Sequence, residues 1–239
     1  MATNSVSPKQ DQKIVNNLLQ EAILLFNHHS FNEALAKFTK ILDRDPLNPE
    51  ANYYLGLAYT KKGNFKKAVV HLKAIVDMNV NFLFTQQCRM ILGYIYFTTG
   101  EYRRAENEFL LVKQKNLNII QVYAALSSIY YHLDDKEQAI QYAERAFSED
   151  SYNLNAKNTY AFLLCDYNID VSRGLELIRE VVRIKPNNAA YLDTLGWAYY
   201  KKGDIRNAVD RIKQALELSH NNEEVRKHYE IIVGRVARY

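Results

Sequence analysis

Residues 189–215 read AAYLDTLGWAYYKKGDIRNAVDRIKQA and contain the pattern that decides the fold. Apolar residues recur at helical spacing in both halves of this stretch, which predicts two short amphipathic helices joined by a turn at Gly203. A small residue lies in the middle of each helix, Gly196 in the first and Ala208 in the second. Because small side chains let two helix backbones approach closely, the stretch predicts a tightly packed helical hairpin.

The same pattern recurs along the chain. The small residue of the first helix recurs at spacings of 34, 37, 34, 34 and 35 residues, and that of the second helix at 34, 37, 34, 35 and 34 residues. The two series keep step, which predicts six hairpins. The longer step predicts either a looser connection or an extra turn on the helix that follows, and we favour the extra turn because Phe82, Leu83 and Phe84 need cover. The first series is Ala22, Gly56, Gly93, Ser127, Ala161 and Gly196, and the second is Ala34, Ala68, Ala105, Ala139, Gly174 and Ala208.

With this period and the runs YYLGLAYTKKGNFKKA, ILGYIYFTTGEYRRA and TLGWAYYKKGDIRNA, the chain resembles tetratricopeptide repeat (TPR) proteins. The resemblance covers about residues 13–220 and implies an all-α fold, a right-handed α-solenoid of six TPR helix-turn-helix repeats. It departs from the family pattern because the early Trp is absent from every copy and the closing Pro appears only as Pro46 and Pro186. The expected segments are a flexible N-terminal segment 1–12, repeats at about 15–48, 49–82, 86–119, 120–153, 154–188 and 189–222, and a C-terminal capping helix 222–239.

The last helix has one apolar stripe, formed by Val225, Tyr229, Ile232 and Val236. An open stack of repeats needs such a helix to cover its final hydrophobic face. The alternative is a dimerisation helix that would join two copies in a homodimer.

Composition narrows the class of protein. The net charge of +4 is too small to indicate a nucleic-acid partner, and no uncharged apolar run approaches the 18 or so residues of a membrane span. Cys88 and Cys165 are expected to be free buried thiols, as in a reducing compartment, and the polar start lacks a secretory signal. We therefore expect a cytoplasmic protein, with the alternative that a leader has been removed.

The resemblance implies that the first helices line a concave face that binds peptides. Asp193, Trp197 and Tyr200 form a stripe about 110° round their helix from the core-facing residues, and the equivalent stripes are largely apolar and aromatic. Packing between successive first helices is the preferred interpretation for Leu57, whereas Tyr94 and Trp197 are among the expected exposed anchors. The candidate groove residues are Tyr53, Leu57, Met90, Tyr94, Phe97, Tyr131, Phe162, Trp197 and Tyr200.

No catalytic constellation, metal-ligand spacing or cofactor motif is found, so we expect a chain that is not an enzyme. The predicted function is a scaffold or adaptor that binds an apolar or amphipathic segment of a protein partner. The alternative is a structural, self-assembling subunit. The stripes of the first three repeats lack the Lys, Asn and Arg residues with which TPR domains hold the acidic tails of cytosolic chaperones, which argues against that co-chaperone role. Basic residues at the turns, such as Lys61 and Lys62, are interpreted as a solvated edge.

Overall fold

A computed structural model of the chain describes residues 8–79, 81–117, 119–219 and 222–236. The described residues form thirteen α-helices and contain no strand. The helices are α1 Pro8–Asn27, α2 Phe31–Leu42, α3 Pro49–Lys61, α4 Phe65–Met78, α5 Phe82–Thr98, α6 Tyr102–Lys113, α7 Ile119–His132, α8 Lys136–Glu149, α9 Leu154–Asp166, α10 Val171–Ile184, α11 Ala189–Lys202, α12 Ile205–Leu218 and α13 Glu223–Val236.

The helices divide between two compact units, unit 1 (residues 1–117) and unit 2 (residues 118–239). In unit 1 the helices pair as three hairpins, α1 with α2, α3 with α4 and α5 with α6. In unit 2 the pairs are α7 with α8, α9 with α10 and α11 with α12, and α13 packs on the last pair. Within each unit the first helices of successive hairpins also contact one another, so their outward faces adjoin.

Each hairpin closes where a small residue lets its two helices cross. A Cβ atom added to Gly93 would lie 2.7 Å from the ring of Phe109, and one added to Gly196 would lie 3.1 Å from the backbone nitrogen of Ile212. Both distances are shorter than ordinary van der Waals contact, so larger side chains would separate the helices. The alanines at the other crossings are fully buried, namely Ala22, Ala34, Ala68, Ala105, Ala139, Ala161 and Ala208.

Turn and cap residues set the ends of the helices. Gly63, Gly100 and Gly203 have φ angles of 71°, 78° and 86°, which a glycine adopts without steric strain. In hairpins without this glycine, Asp134 and Asn168 take the left-handed conformation. Nine of the described helices follow an Asn or Asp whose side chain accepts a hydrogen bond from the backbone of the first turn: Asn48, Asn64, Asn81, Asp135, Asn153, Asp170, Asn188, Asp204 and Asn222.

Helix α5 has the expected extra turn, since it spans 17 residues whereas α3 spans 13. It begins at Phe82, four residues before the predicted start of the third repeat at residue 86. The expected reason for this turn was wrong, because Phe82 and Leu83 stay 49% and 59% exposed. Only Phe84 gains cover, with its ring stacked 5.1 Å from that of Tyr53.

Helix α1 begins at Pro8, so residues 8–12, expected to be part of a flexible segment, are helical. Asp11 in this first part of α1 forms an ion pair with Arg44, just beyond the end of α2. Val15 packs into the core of unit 1, where it is 5% exposed. Together these contacts tie the start of α1 to its hairpin, while residues 1–7 lie outside the described part of the chain.

Helix α13 covers the last hairpin of unit 2. Val225 and Ile232 are buried and join a cluster that contains Leu192 of α11 and Ile212 of α12. Tyr229 is partly buried against the same cluster. The apolar stripe of the final helix therefore packs within its own unit, as expected of a capping helix, while the side chain of Val236 is not among those described.

Two glycine substitutions test the close crossings. A Cβ atom at Gly174 would lie 2.4 Å from Sγ of Cys165 and 2.7 Å from the backbone oxygen of Ala161. We therefore expect Gly174→Ala to lower the free energy of unfolding by about 1–3 kcal/mol, the usual effect of overpacking. Urea denaturation followed by circular dichroism measures this change.

The control is Gly234→Ala on α13, where an added Cβ atom would meet nothing within 4 Å. That substitution should raise the free energy of unfolding by about 0.5–1 kcal/mol, because alanine favours the helix. Equal shifts in the same direction for both variants would contradict the proposed crossing.

Candidate functional site

The candidate residues of unit 1 are Tyr53 and Leu57 on α3 and Met90, Tyr94 and Phe97 on α5, here called the unit 1 stripe. Helices α3 and α5 contact each other, and the stripe residues recur at three- and four-residue spacing on each helix. Tyr94 is 54% exposed, and the other four are half-buried. The stripe is therefore an apolar and aromatic surface that is open to solvent at its middle.

Neighbouring side chains hold Tyr53 in place. Its hydroxyl donates a hydrogen bond to Oε1 of Gln87 at 3.1 Å, and its ring stacks on Phe84. Burial raises the pKa of Tyr53 above its usual value, with a smaller contribution from Cys88, so its hydroxyl stays neutral. The α3 side of the stripe is thus an uncharged and fixed aromatic platform.

The candidate residues of unit 2 are Tyr131, Phe162, Trp197 and Tyr200, here called the unit 2 stripe, on α7, α9 and α11. Trp197 is 7% exposed, so the expectation that it is exposed was wrong. Its ring lies between neighbours, 4.3 Å from the ring of His228 on α13 and 5.1 Å from that of Tyr200. The final helix covers Trp197 with this histidine.

A single carboxylate joins the polar atoms of the unit 2 stripe. Asp166 accepts a hydrogen bond from Nε1 of Trp197 at 3.0 Å and another from the hydroxyl of Tyr131 at 3.2 Å. Lys201 donates to the backbone oxygen of Asp166 at 2.7 Å, and its Nζ lies 3.4 Å from Oδ1. Burial, the nearby charge of Asp166 and the hydrogen bond to it together raise the pKa of Tyr131. The side-chain polar groups of Tyr131 and Trp197 are therefore paired within unit 2.

A second pair joins α13 to α11. Nδ1 of His228 lies 2.9 Å from both carboxylate oxygens of Asp193, and its ring also approaches Phe162 with centroids 6.0 Å apart. His228 is not among the residues predicted from the sequence, although a signal for it is present. Asn158, Asp193 and His228 follow one another at steps of 35 residues, so extending the stripe by one step reaches the residue that covers Trp197.

A surface pocket of about 510 Å³ opens beside this network, at the α7–α8 and α9–α10 turns. Burial, followed by the charge of Asp166, raises the pKa of Tyr167 in its wall to about 12. Tyr131 and Asp166 in its wall are bonded to each other, whereas the buried hydroxyl of Tyr167 has no hydrogen-bond partner among the described residues. It is lined by Tyr131, His132, Asp134, Lys136, Asp166, Tyr167 and Asn168.

The two cysteine thiols are buried away from solvent. Burial raises the pKa of both thiols, Cys88 and Cys165, to about 12, which keeps them protonated and poor nucleophiles at neutral pH. Among the residues with described positions, no three His, Cys, Asp or Glu side chains gather as metal ligands would. None of the described helices has the length and apolar character needed to cross a bilayer.

Family models described as "Tetratricopeptide repeat" match residues 19–79, 120–153 and 192–226. The matched segments include two of the five residues of the unit 1 stripe, Tyr53 and Leu57, and every residue of the unit 2 stripe except Phe162. The matches fall in both units and together cover more than half of the chain.

Curated relatives are distant. The tetratricopeptide repeat and J domain-containing co-chaperone DNJ1 of Fusarium oxysporum is 22% identical, over 100% of this chain and 49% of its own length. The human DnaJ homolog subfamily C member 3 is 20% identical, over 82% of this chain and 41% of its own length. The chain thus spans about half or less of the length of these two relatives.

Solved structures agree on the fold. A tetratricopeptide repeat protein from Parabacteroides merdae has a TM-score of 0.69 and 16% identity, over 96% of this chain and 87% of that one. The pilF protein of Pseudomonas aeruginosa has a TM-score of 0.70 and 15% identity, over 94% of this chain and 99% of that one. At such identities the likeness shows the fold alone. Taken with the matched repeats and the small-residue crossings, it shows that the chain belongs to the tetratricopeptide repeat family.

Proposed function

We propose that this chain is a non-catalytic protein–protein interaction module that binds an apolar or amphipathic segment of a partner along the unit 1 stripe. Tetratricopeptide repeat proteins generally mediate interactions between proteins, which supports the class of function. One observation carries the choice of surface: Tyr94 is 54% exposed in the C-terminal half of α5, one turn from the half-buried Met90. Exposed aromatic residues on an apolar surface are typical anchors for a partner.

The chemistry of the stripe selects the kind of segment. All five of its side chains are uncharged, and the Tyr53 hydroxyl is already bonded to Gln87. A bound segment therefore gains free energy mainly by burying apolar groups against Leu57, Met90 and Tyr94. The name of the Fusarium relative describes it as a co-chaperone, and this likeness favours a polypeptide as the partner.

We assign binding to the unit 1 stripe rather than the unit 2 stripe. Trp197 is covered by His228 and bonded to Asp166, and Tyr131 is bonded to the same carboxylate. A ligand would have to displace these contacts before it reached the rings. Trp197, Phe162 and Tyr131 then contribute to the stability of unit 2.

Tyr94→Ala tests the proposed surface. The probe is a fluorescent amphipathic peptide of Leu and Phe with Gln at its polar positions, added to the full chain. We expect the variant to bind this peptide roughly 30-fold more weakly, the loss of about 2 kcal/mol typical of an aromatic anchor. Its melting temperature should stay close to that of the original protein because the side chain is mostly exposed. Fluorescence anisotropy and thermal unfolding measure the two quantities.

The matched control is Tyr152→Ala, which removes a tyrosine that is 89% exposed and lies in unit 2 outside both stripes. It should leave the affinity unchanged. Equal affinity for both variants would contradict binding at Tyr94, and a stable oligomer in light scattering whose formation depends on Tyr94 would instead favour the self-assembling scaffold.

In contrast to Tyr94→Ala, the substitution Trp197→Ala is expected to lower the stability of the protein and leave its affinity for the peptide unchanged. Removing this buried ring leaves a cavity and deprives Asp166 of one donor, so the free energy of unfolding should fall by about 3–5 kcal/mol. Affinity for the neutral peptide should change little under conditions where the variant is folded. Denaturant unfolding provides the first value and anisotropy the second. A stable variant that no longer binds the peptide would show that Trp197 belongs to the ligand site.

A further inference from the structure

The α3–α4 turn carries a dense positive charge next to the unit 1 stripe. Residues 61–67 read KKGNFKK, here called the lysine turn, and its four lysines are all exposed. The nearest members of the stripe are Leu57 and Tyr53, on the same helix. Any partner that lies along α3 and extends past Leu57 comes close to this charge.

The charge of the lysine turn is not neutralised within the described residues. Lys62 bonds to the amide oxygen of Asn32, and Nζ of Lys67 lies 5.4 Å from the centre of the Tyr59 ring. None of the four lysines pairs with a carboxylate among the residues with described positions. The turn therefore keeps its positive potential.

The next turn of unit 1, between α5 and α6, differs in this respect. There Arg103 pairs with Glu106 at 2.9 Å, and Arg104 pairs with Glu101. Positive charge that is balanced in this way attracts a partner weakly. The unbalanced charge is thus concentrated at the α3–α4 turn.

Helix stability accounts for only half of these lysines. Lys61 and Lys62 lie at the end of α3, where a positive charge stabilises the helix dipole. Lys66 and Lys67 lie in the first turn of α4, where a positive charge is unfavourable, and this turn contains no acidic residue. A local arrangement that opposes stability is typical of a functional surface. The positive charge also acts within the hairpin. Burial lowers the pKa of His71, and the charge of Lys67 lowers it further.

Helical spacing connects the lysine turn to the stripe. Tyr53, Leu57 and Lys61 follow one another at four-residue intervals on α3, so they lie on one face, about 6 Å apart along the axis. The stripe thus ends in a positive charge on α3. We propose that the segment bound along the unit 1 stripe is acidic as well as apolar, and that its carboxylates meet the lysine turn. This inference rests on the proposed function.

An acidic polypeptide fits this surface better than nucleic acid does. Nucleic acid has a charge at every nucleotide and needs a basic surface that extends along its backbone. In unit 1 the cluster of four lysines occupies a single turn, and the adjoining stripe is uncharged. In a polypeptide, a short acidic run complements the lysine turn and neighbouring apolar residues complement the unit 1 stripe.

The experiment uses three peptides of one length with the same Leu and Phe residues, and with Glu, Gln or Lys at the polar positions. Each is titrated into the full chain at low salt, and affinity is measured by anisotropy. We expect the Glu peptide to bind about tenfold more tightly than the Gln peptide, since two or more exposed ion pairs form, and the Lys peptide to bind most weakly. The advantage of the Glu peptide should shrink as salt is added.

Charge removal locates the effect. Lys61→Gln combined with Lys66→Gln should weaken the Glu peptide to about the affinity of the Gln peptide and leave the Gln peptide unchanged. The matched control combines Lys40→Gln with Lys73→Gln, which removes two exposed lysines from the second helices of the same unit. The control should retain most of the preference for Glu.

The imidazole of His71 gives a second readout by NMR. Carboxylates placed over Lys67 offset its positive field, so the Glu peptide should raise the pKa of His71 and the Gln peptide should not. This change depends on where the acidic residues bind and not only on how tightly they do so.

The outcomes separate the inference from the proposed function. Equal affinities for the Glu and Gln peptides, with binding that depends on Tyr94, overturn the acidic preference and leave the proposed function standing. A Gln peptide whose binding does not depend on Tyr94 overturns the proposed function. Equal losses in the lysine-turn variant and its control overturn the assignment to this turn, and so does a single-stranded oligonucleotide that binds as tightly as the Glu peptide through the same lysines.

Discussion

The close crossing of two helices at a small side chain is the constraint on which the structure depends. At Gly93 and Gly196 the partner helix comes so near that a Cβ atom would lie within 3.1 Å of it. This crossing commits one face of each first helix to its own hairpin. Contacts between successive first helices use an adjoining face. The face of each first helix that takes part in neither contact carries the stripe. The chemistry of this face differs between the two units.

The two stripes occupy equivalent positions in their repeats but have different neighbours. In unit 1 the residues around Tyr94 are apolar or uncharged, and the ring stays half in solvent. In unit 2 the carboxylate of Asp166 accepts hydrogen bonds from Trp197 and Tyr131. The ring of His228 on α13 stacks on that of Trp197. Buried polar groups must be paired, so this network holds the stripe of unit 2 within the fold. The same position in the repeat is therefore packed under another helix in unit 2 and exposed in unit 1.

Much of the fold could be predicted because it depends on local, periodic features. The repeat spacing located the crossings, and glycine, Asn and Asp marked turns and caps such as Gly203 and Asn64. Trp197 itself gave no sign of its environment, because an aromatic residue in a stripe has the same pattern whether solvent or another helix faces it; only the 35-residue spacing carried on to His228 indicated a cover. The start of α1 was missed for a related reason: the ion pair of Asp11 with Arg44 joins residues far apart in the sequence.

Hydroxyl-radical footprinting read by mass spectrometry tests the central claim, that the unit 1 stripe is open and the unit 2 stripe is filled. In the free protein Tyr94 should be oxidised faster than Trp197, although indole is intrinsically the more reactive group. A bound amphipathic peptide should protect Tyr94 from oxidation. Rapid oxidation of Trp197 in the folded protein, together with a Tyr94 that the peptide does not protect, would contradict it.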